Sequence, residues 1–290
     1  MLTLEQLEAT LREIQLPFQP QVLSAVLQLR DDTRMDFGEL DRLIRTDQNI
    51  ASLILKVANS SFYSRGHEIR TLPQAIGMIG FRTIVSLVSA VATKKIFMSG
   101  NYARFRRYVW QHSLVVSVIG KIIAEKLKLG DTAEEVFISG LLHDIGKVVL
   151  NQMDREKFIR VLDATLPTQN PFRTAEVEIF GVDHESVGQL IIKIWKLPSI
   201  FREVAVFLDK PQSPSLAKIS EKDKRTIFIV GLANVLAKLN GFGHLEAGHA
   251  ELHEELCFLL DISPIHEIRK IEWVKVIEVD PYYQAFSLIT

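Results

Sequence analysis

A chain of 290 residues with 34 Lys and Arg against 35 Asp and Glu is close to neutral, so overall charge directs it neither to nucleic acid nor to a membrane surface. A composition of 47% hydrophobic and 24% charged residues excludes a disordered chain, and the single cysteine, Cys257, excludes an intramolecular disulfide, a Cys-rich zinc site and a multi-Cys iron–sulfur cluster. Sparse Gly and Pro disfavour a β-sandwich, no apolar run approaches the ~20 residues that span a bilayer, and Glu5 and Glu8 stand where a signal peptide needs basic and then apolar residues.

Helix signals recur along the chain. Thr3-Leu4-Glu5-Gln6 reads as a capping box ahead of Leu4, Leu7, Leu11 and Ile14 at helical spacing. Pro17 and Pro20 interrupt, then Val22, Val26 and Leu29 mark a second helix, and Asp36 opens a short one ending near Arg45. Asp47 can cap a helix whose apolar face is Ile50, Ile54, Leu55 and Ala58. Thr71-Leu72-Pro73-Gln74 is another capping box with Pro in the first turn, and Gly80 should stop that helix. Phe81 to Phe97 follows, with Ile84, Leu87, Val88 and Val91 facing inward. The break at Met98-Ser99-Gly100-Asn101 is the expected boundary between subdomains 1–100 and 101–290.

Beyond it a long helix is predicted from about Tyr102 to Lys128, and another, capped by Asp131 and Thr132, to about His143. Further helices should begin near Ile145, near Asp183, after Pro198 and after Asp223, the last of these ending at Gly241. A final helix is expected over Ala247–Leu260, and only Glu272–Val279 looks strand-like, through Val274, Val276 and Val279. The fold class is therefore all-α, as two packed multi-helix subdomains.

Gly140-Leu141-Leu142-His143-Asp144-Ile145-Gly146-Lys147 places a His and an Asp side by side at a helix end, offering two metal ligands from one backbone corner. Upstream is Trp110-Gln111-His112-Ser113; downstream are His184-Glu185-Ser186-Val187-Gly188 and Trp195-Lys196-Leu197-Pro198. With Asn59-Ser60-Ser61-Phe62-Tyr63 and Ala75-Ile76-Gly77-Met78-Ile79-Gly80, these motifs make residues 15–240 resemble the HDOD family, a branch of the HD superfamily of metal-dependent phosphohydrolases. The resemblance implies an HD-like helical bundle in the second subdomain and a regulatory role in a bacterial-type cell.

It also implies a ligand set. In active HD enzymes one ion is held by a first His, the His-Asp pair and a distant Asp; His112, His143 and Asp144 match the first three. The distant Asp falls on Asn234, which lacks the charge a divalent cation needs. His184 matches one second-ion His, but an adjacent His pair falls on Leu208 and Asp209. Pro211 supports that register, and a Gly-Tyr-Pro extension found in cyclic-dinucleotide phosphodiesterases is absent. Without those ligands, lowering the pKa of a bound water and clamping a phosphoryl group are both poorly supported. The expected activity is thus none. The expected cofactor is at most one divalent transition metal at His112, His143, Asp144 and His184, unless those groups form a hydrogen-bonded cluster tying helices together without an ion.

Other features have two readings each. No acidic residue lies between Glu68 and Glu125, whereas Arg70, Arg82, Lys94, Lys95, Arg104, Arg106, Arg107 and Lys121 are basic. Arg104 and Arg107 could seat a nucleotide or other anionic ligand, or the run could be a solvated face paired with acids elsewhere, such as Glu251, Glu254, Glu255 and Asp261. His249 and His253 have zinc-chelating spacing but, with His244, read first as surface histidines. Trp110 and Trp195 read as core anchors.

The leading expectation is a non-catalytic cytoplasmic signalling module whose partner is a separate protein, since this length leaves no room for an attached receiver or cyclase domain. The alternative is a phosphohydrolase acting on nucleotides or cyclic dinucleotides; a third reading is a nucleotide sensor.

Overall fold

The computed structural model describes residues 7–9, 11, 44, 48–60, 63, 68–97, 102–262 and 271–287. The predicted Thr3 capping box, the helix around Val22–Leu29, the Asp36–Arg45 helix apart from Ile44, the Asp47 cap, and the boundary at Met98–Asn101 lie outside the described residues.

Among the described residues the secondary structure is helical throughout, with no strand. Helix α1 (Gln48–Ala58) leads to Asn59, whose amide donates to the Ile69 carbonyl at 2.6 Å and whose Oδ1 accepts from the Ile69 N–H at 2.8 Å. This two-point clamp gives Asn59 of the Asn-Ser-Ser-Phe-Tyr motif a structural role. Helix α2 (Leu72–Ile79) carries both bonds of the predicted Thr71–Gln74 capping box and ends at Gly80, φ 84°. Thr71→Ala should cost about 1 kcal/mol, read as a lower urea midpoint at unchanged slope. Helix α3 (Phe81–Phe97) buries Ile84, Leu87, Val88 and Val91 as its periodicity requires.

The predicted Tyr102–Lys128 helix is interrupted. Ala103–Phe105 runs into a π-helical turn, Arg106–Gln111, and then into α4 (His112–Lys126). The turn buries Trp110, whose ring meets Phe97 edge-on at 5.4 Å, while Gln111 donates to the Tyr283 hydroxyl at 3.0 Å. Helix α5 (Gly130–Leu142) corrects the predicted Asp131 and Thr132 cap: its N-cap is Leu129, whose side chain has no acceptor, and the Thr132 hydroxyl, inside the first turn, donates to the Leu129 carbonyl.

Next come α6 (Ile145–Met153), α7 (Arg155–Thr165), α8 (Phe172–Phe180), α9 (His184–Ile194), α10 (Ser199–Phe207) and α11 (Glu221–Leu239). Two, α7 and α8, were not anticipated. Helix α9 begins near Asp183 as predicted, and Asp183 caps it by accepting from the Ser186 N–H at 2.8 Å. Helices α12 (His249–Leu259), α13 (Trp273–Val279) and α14 (Pro281–Ser287) complete the described residues. The strand-like reading of Glu272–Val279 is corrected: Trp273 and Ile277, one helical turn apart, are buried, while Val274 and Val279 face solvent.

The centre of the bundle is α4, α5 and α11, each packed on the other two. Helix α6 lies on α9, α9 on α10, and α12 on α11. The first part of the chain joins the same core, with α3 on α5 and α14 touching both α4 and α1. Across that junction the buried Lys121 ammonium donates to Glu134 at 2.7 Å and to the Tyr282 hydroxyl at 3.0 Å, and Ser86 donates to the other Glu134 oxygen. A buried Lys survives only with such partners. Among the described residues no single helix is long and apolar enough to cross a membrane.

Candidate metal centre

His112 opens α4, His143 and Asp144 form the corner between α5 and α6, and His184 opens α9. Two glycines permit the approach. A Cβ on Gly146 would stand 1.9 Å from the His184 carbonyl oxygen, so only glycine lets α6 and the start of α9 come this close. Gly243, at φ 126°, would put a Cβ 2.7 Å from His112 Nδ1.

The four side chains named from the sequence do converge, on Asp144. Its Oδ2 lies 3.4 Å from His143 Nε2 and 3.9 Å from His112 Nε2, and its Oδ1 lies 3.7 Å from His184 Nε2. Asp144 is only 2% exposed. The ligand atoms of His112, His143 and Asp144 fall within 4.8 Å of one another.

Each imidazole is oriented from behind. His112 Nδ1 bonds the Phe242 carbonyl at 2.8 Å and His143 Nδ1 the Gly140 carbonyl at 2.7 Å. A carbonyl only accepts, so both Nδ1 atoms carry the proton and both Nε2 lone pairs point inward, the second-sphere pattern of metal-binding histidines. His184 Nδ1 bonds Glu176 at 2.5 Å, and the same carboxylate oxygen accepts the His184 backbone N–H at 2.9 Å.

Burial pushes His112 and His143 down, to the neutral form, against the pull of Asp144. His184 goes the other way: burial would lower it, but Glu176 and Asp144 outweigh that and raise it. Burial would likewise raise the Asp144 carboxyl, yet Lys147 and the three imidazoles hold it well below the usual carboxylate range. The Lys147 ammonium, itself buried, donates to Asp144 Oδ2 at 2.8 Å.

Three polar atoms near this corner, His112 Nε2, Asn234 Oδ1 and Glu176 Oε1, are buried without a hydrogen-bond partner. A buried acceptor left alone is costly, so the donor set suits one cation held by His112, His143 and Asp144. Asn234 spends its amide on Asp209, donating at 3.1 Å.

A cavity of about 160 Å³ adjoins the centre, walled by Lys147, Phe172, His184, Asp209, Lys238 and Glu246 among others. Sites for drug-sized ligands run ~300–1,000 Å³. At its rim Arg173 is already engaged, 2.8 Å from Asp183 and 3.8 Å from Glu185.

The residues expected as an anion site, Arg104 and Arg107, stand apart from this cavity. Arg104 turns to Asp163 on α7, the exposed Arg107 lies 5.6 Å from the Tyr108 ring centroid, and neither lines the cavity. Within the basic run, the partners of Arg70, Arg104 and Lys121 are Glu68, Asp163 and Glu134.

The surface reading of His244, His249 and His253 is also corrected: all three are buried, His253 at 2% exposure, because α12 packs on α11 and the loop before it folds inward. His244 bonds the Asn170 carbonyl at 3.0 Å, and burial with Lys238 alongside pushes His249 down to about 4. The buried Glu176 was missed, since nothing in Ala175-Glu176-Val177-Glu178 marks the first glutamate as internal. Lys147 stood in the motif without a role.

An all-helical bundle that gathers an adjacent His-Asp pair and two further imidazoles at one buried corner has the HD-like fold. The HDOD domain family model matches residues 16–211, and the chain belongs to the HDOD family. It is 22% identical over 222 residues to an uncharacterized protein of Treponema pallidum (strain Nichols), covering 74% of this chain. The chain spans 41% of that relative's length. The crystal structure of an HDOD domain protein of unknown function from Geobacter sulfurreducens superposes with a TM-score of 0.75 at 20% identity, over 99% of this chain and 98% of that one. A candidate phosphohydrolase from Shewanella amazonensis SB2B superposes at 0.65 and 20% identity, over 95% and 96%. At such identities the likeness concerns the fold.

Proposed function

We propose that this chain is a non-catalytic signal-transduction module that acts by binding a separate signalling protein, and that its HD-type centre is a buried hub holding at most one divalent cation. The observation that carries this reading is the pairing of Asn234 with Asp209. These are the positions at which the family resemblance calls for the distant Asp and a His of the second-ion pair. Here the Asn234 amide donates to the Asp209 carboxylate, and Asn234 Oδ1 is left without a partner. His112, His143 and Asp144 would hold the single ion. Bound there it would neutralise Asp144 and cross-link the helices that meet at the corner, as structural ions do.

Phosphoryl hydrolysis asks more of a site: an activated water and a charge clamp on the transferring group. Here Lys147 is spent on Asp144, and Lys238 lies 3.7 Å from Glu246 and 3.4 Å from His249. The cavity's size further disfavours a nucleotide or cyclic dinucleotide as substrate.

Metal analysis of the purified chain tests the hub. The expected result is one equivalent or less of divalent metal per chain; two tightly held equivalents would overturn the reading. Asn234→Asp, which supplies the missing charge, should raise Mn²⁺ affinity about tenfold or more, measured by calorimetric titration.

A further inference from the structure

We propose that Lys147 is a tethered cation that competes with a divalent ion for Asp144, so that the centre fills only when the ammonium leaves the carboxylate. The inference rests on the single-ion reading of the centre. Lys147 Nζ donates to Asp144 Oδ2 at 2.8 Å, and that is the oxygen nearest to His143 Nε2 and His112 Nε2, at 3.4 and 3.9 Å. An ion taken up at Oδ2, the oxygen that faces His143 and His112, would share that oxygen with a buried ammonium. Two positive charges at contact distance repel strongly where water is scarce, and an oxygen already accepting a charge-assisted hydrogen bond is a poorer ligand.

The lysine has a second place to go. Its Nζ lies 4.5 Å from the centroid of the Phe172 ring, and both residues line the cavity that Glu246 also lines. Swinging along that aromatic face toward Glu246 would keep the ammonium next to a carboxylate while freeing Asp144 Oδ2 for an ion held together with the two imidazoles. Glu246 now faces Lys238 at 3.7 Å, a separation too long for a direct hydrogen bond. Uptake of an ion and the shape of the cavity are therefore coupled through one side chain. A cation signal at the buried corner would reach the surface at the cavity rim.

The test is calorimetric titration of the full chain with Mn²⁺, together with thermal denaturation with and without Mn²⁺. Lys147→Met removes the charge and keeps the stem; Lys147→Arg keeps the charge. Lys147→Met should bind Mn²⁺ about tenfold more tightly than the unaltered chain or beyond, and gain the larger rise in Tm on adding it. Lys147→Arg should stay near the unaltered chain. If Lys147→Met does not fold, Lys147→Gln carries the same test, because its amide can donate without a charge. Equal affinity in the neutral variant and the unaltered chain overturns the competition and leaves the single-ion reading standing. Equally tight binding by Lys147→Arg also overturns it, since shape rather than charge would then be responsible. No Mn²⁺ binding by any of the proteins also overturns the competition, because no ion then contends for Asp144, while a centre with at most one ion still stands.

Discussion

Replacing Asp144 by Ala is expected to destabilise the fold by about 3–5 kcal/mol, the range found when one member of a buried ion pair is removed. The carboxylate is the anion on which four groups converge: Lys147 at 2.8 Å and the imidazoles of His143, His184 and His112 between 3.4 and 3.9 Å. Without it a buried ammonium is left facing three rings, and water cannot enter freely where Asp144 is 2% exposed. Urea unfolding by circular dichroism measures the effect. Replacing both charges at once, Asp144→Leu with Lys147→Met, should recover most of the loss, because neither partner is then stranded. A single Asp144→Ala variant within about 1 kcal/mol of the unaltered chain would show that the corner is not the hub described.

Gly146→Ala should be comparably damaging, by about 3 kcal/mol or more, at the upper end of overpacking costs. The added Cβ would meet the His184 carbonyl oxygen at 1.9 Å, its carbon at 2.7 Å and the Gly188 nitrogen at 2.9 Å. All three are backbone atoms that cannot rotate away. Relief requires moving α6 from α9, which would carry His184 off Asp144. Gly188 supplies the control from the other side of the contact: a Cβ there would meet nothing nearer than 3.4 Å. Gly188→Ala should be neutral or stabilise by about 0.5–1 kcal/mol through helix propensity. Thermal denaturation of the pair decides the matter, and two similar melting temperatures would refute the close-contact argument.

Much of the fold was legible because its signals are local. The Thr71–Gln74 box, the Gly80 stop and the helix start near Asp183 each depend on a few neighbouring residues, and each is in place. The inward face of α3 followed from spacing alone. What failed needed tertiary information. Trp273–Val279 is too short for periodicity to separate helix from strand, and its valines tipped the reading toward a strand. His253 sits among glutamates, but packing of α12 against α11, not its neighbours in sequence, decides that it is buried. The π-turn before His112 leaves no compositional mark.

The candidate site divides in the same way. His112, His143, Asp144 and His184 stood out through their motifs. The groups that set their chemistry did not. Glu176 holds His184 from eight positions upstream, the Phe242 carbonyl holds His112 from across the bundle, and Lys147 reaches back one turn to Asp144.

Whether the centre performs hydrolysis is tested most directly by assaying the unaltered chain and Asp144→Asn side by side. The assay would use a panel of phosphate mono- and diesters, including cyclic dinucleotides, with Mn²⁺, Fe²⁺ or Mg²⁺ supplied. The expected result is the same background release of product from both proteins with every metal. Metal-dependent turnover by the unaltered chain that disappears in Asp144→Asn would contradict the account.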